Sequence, residues 1–223
     1  VLGPTAGGGA YGPALTDVVV LAPEGRIFVT GPDVVKSVTG EDIDIAALGG
    51  PEAHSKNSGV AHVIAPSEEV AFNEIQDLVS LFADQGHFKT DIADVDLSVH
   101  VPSVEKRSYE VHPLIEAILD RDGESLELLP MWAENMSTVI GRLGGRTVGV
   151  IANNPAHIGG VLDAAAAEKA ATDALLRREV EDMRKLVDEL KADRDKFLRW
   201  GVIVLGGAVV TLGKWLFDLL VKR

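Results

Sequence analysis

The first sixteen residues read Val1-Leu-Gly-Pro-Thr-Ala-Gly-Gly-Gly-Ala-Tyr-Gly-Pro-Ala-Leu-Thr16, with three consecutive glycines at positions 7 to 9. Glycine allows positive φ angles and a close approach of the backbone to a bound molecule. The run precedes a predicted helix at 10–16, and the N–H groups at a helix start lack intrahelical partners and carry partial positive charge. Backbone N–H groups held in this way can stabilise an oxygen that gains negative charge during a reaction.

Two other interpretations of the glycines remain open at this point. Gly7, Gly9 and Gly12 match the GxGxxG pattern of dinucleotide-binding proteins, which would make the chain a nicotinamide-dependent oxidoreductase. That pattern requires a β-strand directly before Gly7, where only a few residues are available. The glycines could also serve tight packing at a corner between a helix and a strand.

Composition excludes several classes of function. The net charge is −13, and 172–223 holds eleven basic and nine acidic residues, so 1–171 carries −15. An acidic body argues against nucleic acid as a partner, because nucleic-acid binding needs a basic face. With no cysteine, the chain has no disulfide, thiolate zinc site or cysteine nucleophile, and a cytoplasmic body is expected. The six histidines show no compact ligand spacing, so no metal site is predicted.

Residues 1–171 have the alternating pattern of an α/β protein. Apolar β-branched runs predict strands at 17–21 and 27–30, and helices are predicted at 31–38, 41–48 and 67–85. The polar stretch 86–108 indicates a linker, so 1–85 and 109–171 are expected to be two domains. The second domain is predicted to contain a helix at 112–119 and strands at 126–129, 138–143 and 147–152. Gly144-Gly145 predicts a hairpin between the last two.

The character of the chain changes after residue 171. Apolar residues spaced four and three apart, with charged flanks, predict a coiled-coil-like amphipathic helix at 172–199: Leu176, Val180, Met183, Val187 and Leu190. The segment 200–221 is nearly uncharged and long enough for a single transmembrane helix. A buried or self-associating apolar helix is the alternative. In composition, this tail resembles the ends of small phage haemolysin or holin-like membrane proteins.

Several motifs in order resemble the carboxyltransferase (beta) subunit of biotin-dependent acyl-CoA carboxylases, above all the propionyl-, acetyl- and long-chain acyl-CoA enzymes of actinobacterial type. The matching segments are 3–14, 28–41, 48–50, His54, 58–62 and 109–154, and 167–171 is the last. The resemblance implies a crotonase-like α/β spiral for 1–171. It implies transfer of a carboxyl group from carboxybiotin to the α-carbon of an acyl-CoA, with Gly7 and Gly8 matching the backbone oxyanion hole for the thioester.

The same resemblance implies biotin carried on a partner protein, a biotin carboxylase or biotin carrier chain as partner, and a homo-oligomeric carboxyltransferase without a metal. The family's opening strands and its second oxyanion pair, for biotin, have no counterpart in 1–171. We therefore expect an incomplete carboxyltransferase fragment that does not turn over alone. The alternative is a membrane-anchored coiled-coil interaction protein, in contact with a membrane through 200–221, whose acidic body is not catalytic.

Overall fold

The structure is a computed structural model that describes residues 1–89, 94–104, 107–121 and 124–171, with a few positions between 185 and 196. The chain divides into two compact units, Val1–Arg177 and Arg178–Arg223, and the fold described below is that of the first. The predicted coiled coil at 172–199 falls almost wholly outside the described residues, and the predicted span at 200–221 falls entirely outside them. In the part of the chain that is described, no helix is both long enough and apolar enough to cross a membrane.

The amino-terminal part contains two small parallel sheets. In one, β1 (Pro4–Ala6) pairs with β3 (Arg26–Phe28); in the other, β2 (Val20–Leu21) pairs with β4 (Val63–Ile64). β2 and β3 are shorter than the strands predicted at 17–21 and 27–30, and the sequence analysis did not predict β1 or β4. The short helix α1 (Tyr11–Ala14) lies between β1 and β2. Three helices lie between β3 and β4: α2 (Pro32–Thr39), α3 (Ile45–Gly49) and α4 (Pro51–Ala53), followed by a π-helical turn at His54–Ser58.

Helix α5 (Glu68–Ala83) follows β4 and is confirmed close to its predicted bounds. Its start is set by Ser67, whose side chain accepts a hydrogen bond from the N–H of Val70. Two acidic residues in the first turn, Glu68 and Glu69, complement the positive end of the helix. A short 3₁₀ helix, Leu97–His100, lies in the segment predicted to be a linker.

The carboxy-terminal part begins with α6 (His112–Ile118) and continues as an antiparallel sheet of β5 (Ser125–Leu128), β6 (Met136–Leu143) and β7 (Arg146–Asn153). The predicted hairpin between β6 and β7 is confirmed. Gly144 and Gly145 have φ angles of 57° and 81°, as a two-residue hairpin turn requires. A further helix covers residues 164–171.

The largest buried core joins the two predicted domains. It packs β2, β4 and α5 against β5 and β6, with these buried members: Val20, Ala22, Val63, Ala65, Ala71, Leu78, Leu81, Leu126, Leu128 and Ile140. Polar contacts at the end of α5 reinforce this packing. Arg142 of β6 donates to the carbonyls of Ser80 and Asp84, and Thr147 of β7 donates to that of Leu81. The predicted boundaries at 85 and 109 therefore fall within one compact unit.

Candidate functional site

The glycine run begins where β1 ends. Gly7 has a φ of 57° and opens a 3₁₀ helix, Gly7–Ala10, which leads into the short α1 (Tyr11–Ala14). The continuous helix predicted at 10–16 is therefore split into two short turns. The first N–H groups of such a turn have no partner within it. The run thus presents backbone donors at the carboxyl end of a strand.

The space around Gly8 is open. Gly8 is exposed, and a Cβ atom added to it would meet no heavy atom within 4 Å. On the neighbouring Gly7, an added Cβ would lie 3.9 Å from the carbonyl oxygen of Val29. The assignment of the Gly7 and Gly8 amides to an oxyanion hole stays a prediction, and this open approach is compatible with it.

A strand does precede Gly7, as the dinucleotide interpretation requires, but the helix that follows does not suit it. Helix α1 has only four residues, and the glycines form a 3₁₀ turn. Dinucleotide-binding folds place the pyrophosphate at the start of a full helix within a strand–helix–strand unit. The local structure therefore gives no support to a nicotinamide site.

His54 and His62, two histidines in the segments that match the family, both have structural partners. His54 Nε2 lies 2.7 Å from the carbonyl oxygen of Ile27, and its Nδ1 lies 2.8 Å from Ser58 Oγ. Because a carbonyl only accepts, Nε2 carries a proton. His62 Nδ1 accepts a hydrogen bond from the N–H of Val19 at 3.1 Å. Burial lowers the pKa of His62, although the negative charge of Asp17 acts to raise it. The His54 bonds connect the π-helical turn to β3, and the His62 bond joins the start of β2 to the start of β4.

A second polar cluster, called here the His112 cluster, consists of Glu110, His112, Glu127, Ser137 and Asn154. His112 Nδ1 lies 2.5 Å from Glu110 Oε1, and its Nε2 lies 3.0 and 2.9 Å from the two oxygens of Glu127. Asn154 donates to Glu110 at 2.6 Å. The cluster therefore joins the start of α6 to β5 and to the residue that follows β7.

The environment of His112 favours its charged form. Burial would lower the pKa of His112, but the hydrogen bonds to Glu127 and Glu110 and their negative charges outweigh burial and raise it. For Glu110, burial acts to raise the pKa, and the hydrogen bonds from His112 and Asn154 reverse this and lower it. Both directions favour an imidazolium between two carboxylates.

The His112 cluster is not a nucleophilic triad, although the side chains of Ser137, His112 and Glu127 contact one another in that order. Ser137 Oγ lies 3.3 Å from His112 Nε2, and Ser137 is buried. A triad needs that nitrogen free to accept the serine proton. Here Glu127 can only accept, so Nε2 donates to Glu127 and leaves no lone pair for Ser137.

Lys169 is the largest fully buried side chain among the described residues. Its Nζ donates to the carbonyl oxygen of Trp132 at 3.0 Å. Burial lowers the pKa of Lys169 to about 8, although the negative charges of Glu127 and Glu134 act to raise it. In the sequence, Lys169 belongs to the last matching motif, 167–171. A lone lysine on an alanine-rich helix gives no signal that it is buried.

Two cavities lie around α6 rather than at the glycine run. One of about 590 Å³ borders the His112 cluster, and one of about 1110 Å³ lies beside the β6–β7 turn. Both linings mix acidic and basic side chains, among them Asp120 and Arg121. Within the described ranges, no three histidine, aspartate or glutamate side chains come together in a way that could hold a metal ion.

Comparison with known proteins shows which family this chain matches. The family model described as "Carboxyl transferase domain" matches residues 1–175. The beta6 subunit of the biotin-dependent acetyl-/propionyl-coenzyme A carboxylase of Mycobacterium tuberculosis H37Rv is 55% identical over 174 residues, which are 77% of this chain and 37% of that subunit. The propionyl-CoA carboxylase beta chain of Rhodococcus erythropolis is 52% identical over 177 residues, with the same two coverages.

Solved structures agree with the sequence match. Transcarboxylase 12S, described as a hexamer with hydrolysed methylmalonyl-coenzyme A bound, is 38% identical with a TM-score of 0.70, over 77% of this chain and 35% of that one. A single-chain, multi-domain long-chain acyl-CoA carboxylase is 31% identical with a TM-score of 0.65, over 77% and 18%.

The chain belongs to the carboxyl transferase domain family, and its described residues up to 171 have the mixed helix-and-sheet fold of the family's solved structures. It spans 37% of the length of the first curated relatives that it matches. The resemblance inferred from the sequence motifs is thereby confirmed for the family.

Proposed function

We propose that this chain is the acyl-CoA-binding part of a carboxyltransferase, in which a carboxyl group moves from carboxybiotin to the α-carbon of an acyl-CoA of the acetyl-/propionyl-CoA class. The observation that carries the proposal is the 55% identity to an acetyl-/propionyl-coenzyme A carboxylase beta subunit over a segment that includes the glycine run. Biotin would be supplied on a partner chain, a biotin carboxylase or carrier, and the carboxyltransferase itself would be a homo-oligomer with a cytoplasmic body.

The chemical role of the glycine run follows from the reaction. Loss of the α-proton from a thioester moves charge onto the thioester oxygen, and preorganised N–H groups stabilise that charge best. The amides of Gly7 and Gly8 belong to the first two residues of the 3₁₀ turn, and Gly8 is open to an approaching ligand. In the balanced transfer, the Cα–H bond of the thioester and the bond between the carboxyl carbon and the nitrogen of carboxybiotin would break. A bond from the α-carbon to the carboxyl carbon would form, and the proton would end on that nitrogen.

Calorimetric titration of the purified chain with propionyl-CoA tests the proposal, with free coenzyme A as the control that lacks a thioester carbonyl. We expect propionyl-CoA to bind more tightly, by about fivefold, the worth of one net hydrogen bond of about 1 kcal/mol. Equal binding of the two compounds, or binding of neither, would contradict a thioester site.

Two variants at position 8 test whether the Gly8 amide donates a hydrogen bond to the thioester oxygen. Gly8→Pro removes the N–H, and proline is tolerated in the first turn of a helix. Gly8→Ala keeps the N–H and adds a methyl group to open space. The preference for propionyl-CoA over coenzyme A should disappear in Gly8→Pro and persist in Gly8→Ala. Loss of the preference in both, or in neither, would show that the Gly8 amide is not the donor.

We expect binding without turnover. The resemblance places the oxyanion pair for biotin outside 1–171, so the chain alone offers donors for only one of the two reactants. A carboxyl-transfer assay with carboxybiotin and propionyl-CoA measures this directly. Turnover at ordinary enzyme rates, roughly 1 per second or faster, would show that the chain supplies both halves.

A further inference from the structure

Strand β3 is directly connected to the start of the glycine run. It pairs with β1 over all three residues of each strand, and Gly7 follows β1 in the chain. A Cβ atom added to Gly7 would lie 3.9 Å from the carbonyl oxygen of Val29, the residue after β3. The position of β3 therefore determines where the glycine run begins.

The opposite side of β3 receives a hydrogen bond from His54. The N–H of Arg26 donates to the carbonyl of Gly3 at 3.3 Å, so residue 26 faces the β1 side. Backbone groups of successive residues in a strand point to opposite sides, so the carbonyl of Ile27 faces away from β1. Ile27 is buried, and a buried carbonyl without a donor is costly. His54 Nε2 supplies this donor at 2.7 Å.

Two further contacts define the geometry of this hydrogen bond. His54 Nδ1 lies 2.8 Å from Ser58 Oγ, so the two ring nitrogens have different partners and the ring is oriented at both ends. The backbone of α3 also contacts the Ile27 carbonyl, because a Cβ atom on Gly49 would lie 2.2 Å from its oxygen. Close packing against Gly49 prevents β3 from moving towards α3, and the bond from His54 opposes movement away from it.

We propose that His54 is a positioning residue for the glycine run. Its Nε2–H group, through the carbonyl of Ile27, holds β3 and therefore β1 and the amide of Gly8. This inference rests on the proposed function, in which that amide donates to a thioester oxygen. A hydrogen bond weakens steeply as its donor moves out of line, so a small shift of β1 is sufficient to lower the preference for a thioester.

Three substitutions of His54 separate the roles of its two nitrogens. In His54→Gln, the side-chain amide nitrogen takes the place of Nε2 and can donate to the carbonyl of Ile27. In His54→Asn, the shorter amide reaches only the place of Nδ1, beside Ser58. His54→Met has the length of the glutamine variant but no donor. It should therefore behave as His54→Asn does, and it replaces that variant if His54→Asn does not fold.

Calorimetric titration with propionyl-CoA and free coenzyme A measures the effect on binding. The wild-type chain and His54→Gln should both show the preference of about fivefold for propionyl-CoA, whereas His54→Asn and His54→Met should lose it. Ser58→Ala removes only the partner of Nδ1 and is the matched control, which should keep the preference. Circular dichroism of each variant establishes that it is folded.

The NMR signal of the Gly8 amide gives a second measurement that needs no ligand. In a chain labelled on its glycine nitrogens, this signal is identified by its loss in Gly8→Ala. It should shift in His54→Asn and His54→Met and keep its position in His54→Gln. A Gly8 signal that stays in place in all three His54 variants would overturn the positioning role, whatever the binding data.

The two measurements distinguish this inference from the proposed function. A wild-type chain that binds propionyl-CoA and coenzyme A equally would contradict the proposed function alone, and the Gly8 signal would then decide the role of His54. If the wild-type preference exists, its loss in His54→Gln would exclude the Nε2 donor as its cause. A preference that persists in His54→Asn and His54→Met would exclude it too.

Discussion

The region around the glycine run and the region around the hairpin are built in different ways. Near the glycines, the groups proposed for function belong to the backbone, and close contacts with glycine hold the elements together. In the hairpin region, polar side chains from distant positions meet in the interior. Among the residues that the structure describes, seven polar or charged residues are buried, and five of them lie there: Asn135, Ser137, Thr138, Asn154 and Lys169. The first region should therefore be sensitive to added atoms, and the second to pH.

Steric substitution gives the largest expected effect and separates two kinds of glycine. A Cβ on the buried Gly49 would lie 2.2 Å from the carbonyl oxygen of Ile27, so β3 and α3 must move apart. Gly49→Ala should reduce the free energy of unfolding by about 3 kcal/mol, at the upper end for overpacking. Gly8→Ala, in open space, should change it by less than about 0.5 kcal/mol. Urea unfolding followed by circular dichroism measures both.

The experiment compares the loss in free energy of unfolding caused by an added Cβ at Gly49 with that at Gly8. Comparable losses would mean that the glycine run is packed as tightly as the β3–α3 contact and is unsuited to admit a ligand. A stable Gly49→Ala variant would show that β3 and α3 can separate at little cost.

The buried amine of Lys169 gives the second effect, which depends on pH. Its pKa of about 8 in the folded state lies below the ordinary value of about 10.5. Between these two values the unfolded chain binds more protons, so stability rises with pH, by about 3 kcal/mol from pH 8 to 10.5. Lys169→Met removes the titrating group and should flatten this rise.

Lys191→Met is a suitable control, because Lys191 is exposed and lies in the other compact unit. Urea unfolding at pH 8, 9 and 10 compares the three proteins. An unchanged rise in Lys169→Met would place the titrating group elsewhere.

The difference between the two regions also explains what the sequence could predict. The Gly144-Gly145 hairpin and helix α5 depend on local signals, a turn requirement and an N-cap with apolar periodicity, and both were predicted. The helix at 10–16 was predicted as continuous, because sequence periodicity does not show that Gly7 adopts a positive φ and opens a 3₁₀ turn.

The His112 cluster had no such local signal. Its members are 15, 25 and 44 positions apart along its main contacts, from His112 to Glu127, His112 to Ser137 and Glu110 to Asn154. Only the packing of α6 against the β5–β6–β7 sheet brings them together. In the sequence, His112 was no more than the first residue of a predicted helix.

The His112 cluster gives the smallest expected effect, with the opposite sign to that of Lys169. Because the pKa of His112 is raised in the folded state, the imidazolium contributes stability below its unfolded pKa of about 6.5. This contribution is lost as pH rises through the higher folded value. The side chain is 37% exposed, so solvent screening limits the effect to about 1 kcal/mol.

His112→Gln should abolish this fall in stability above pH 6.5, whereas His87→Gln, at an exposed position, should retain it. Urea unfolding from pH 6 to 8 measures the fall, and an NMR titration of the imidazole assigns it to His112. A wild-type chain whose stability does not decrease in this window would contradict the charged form of His112 between Glu110 and Glu127.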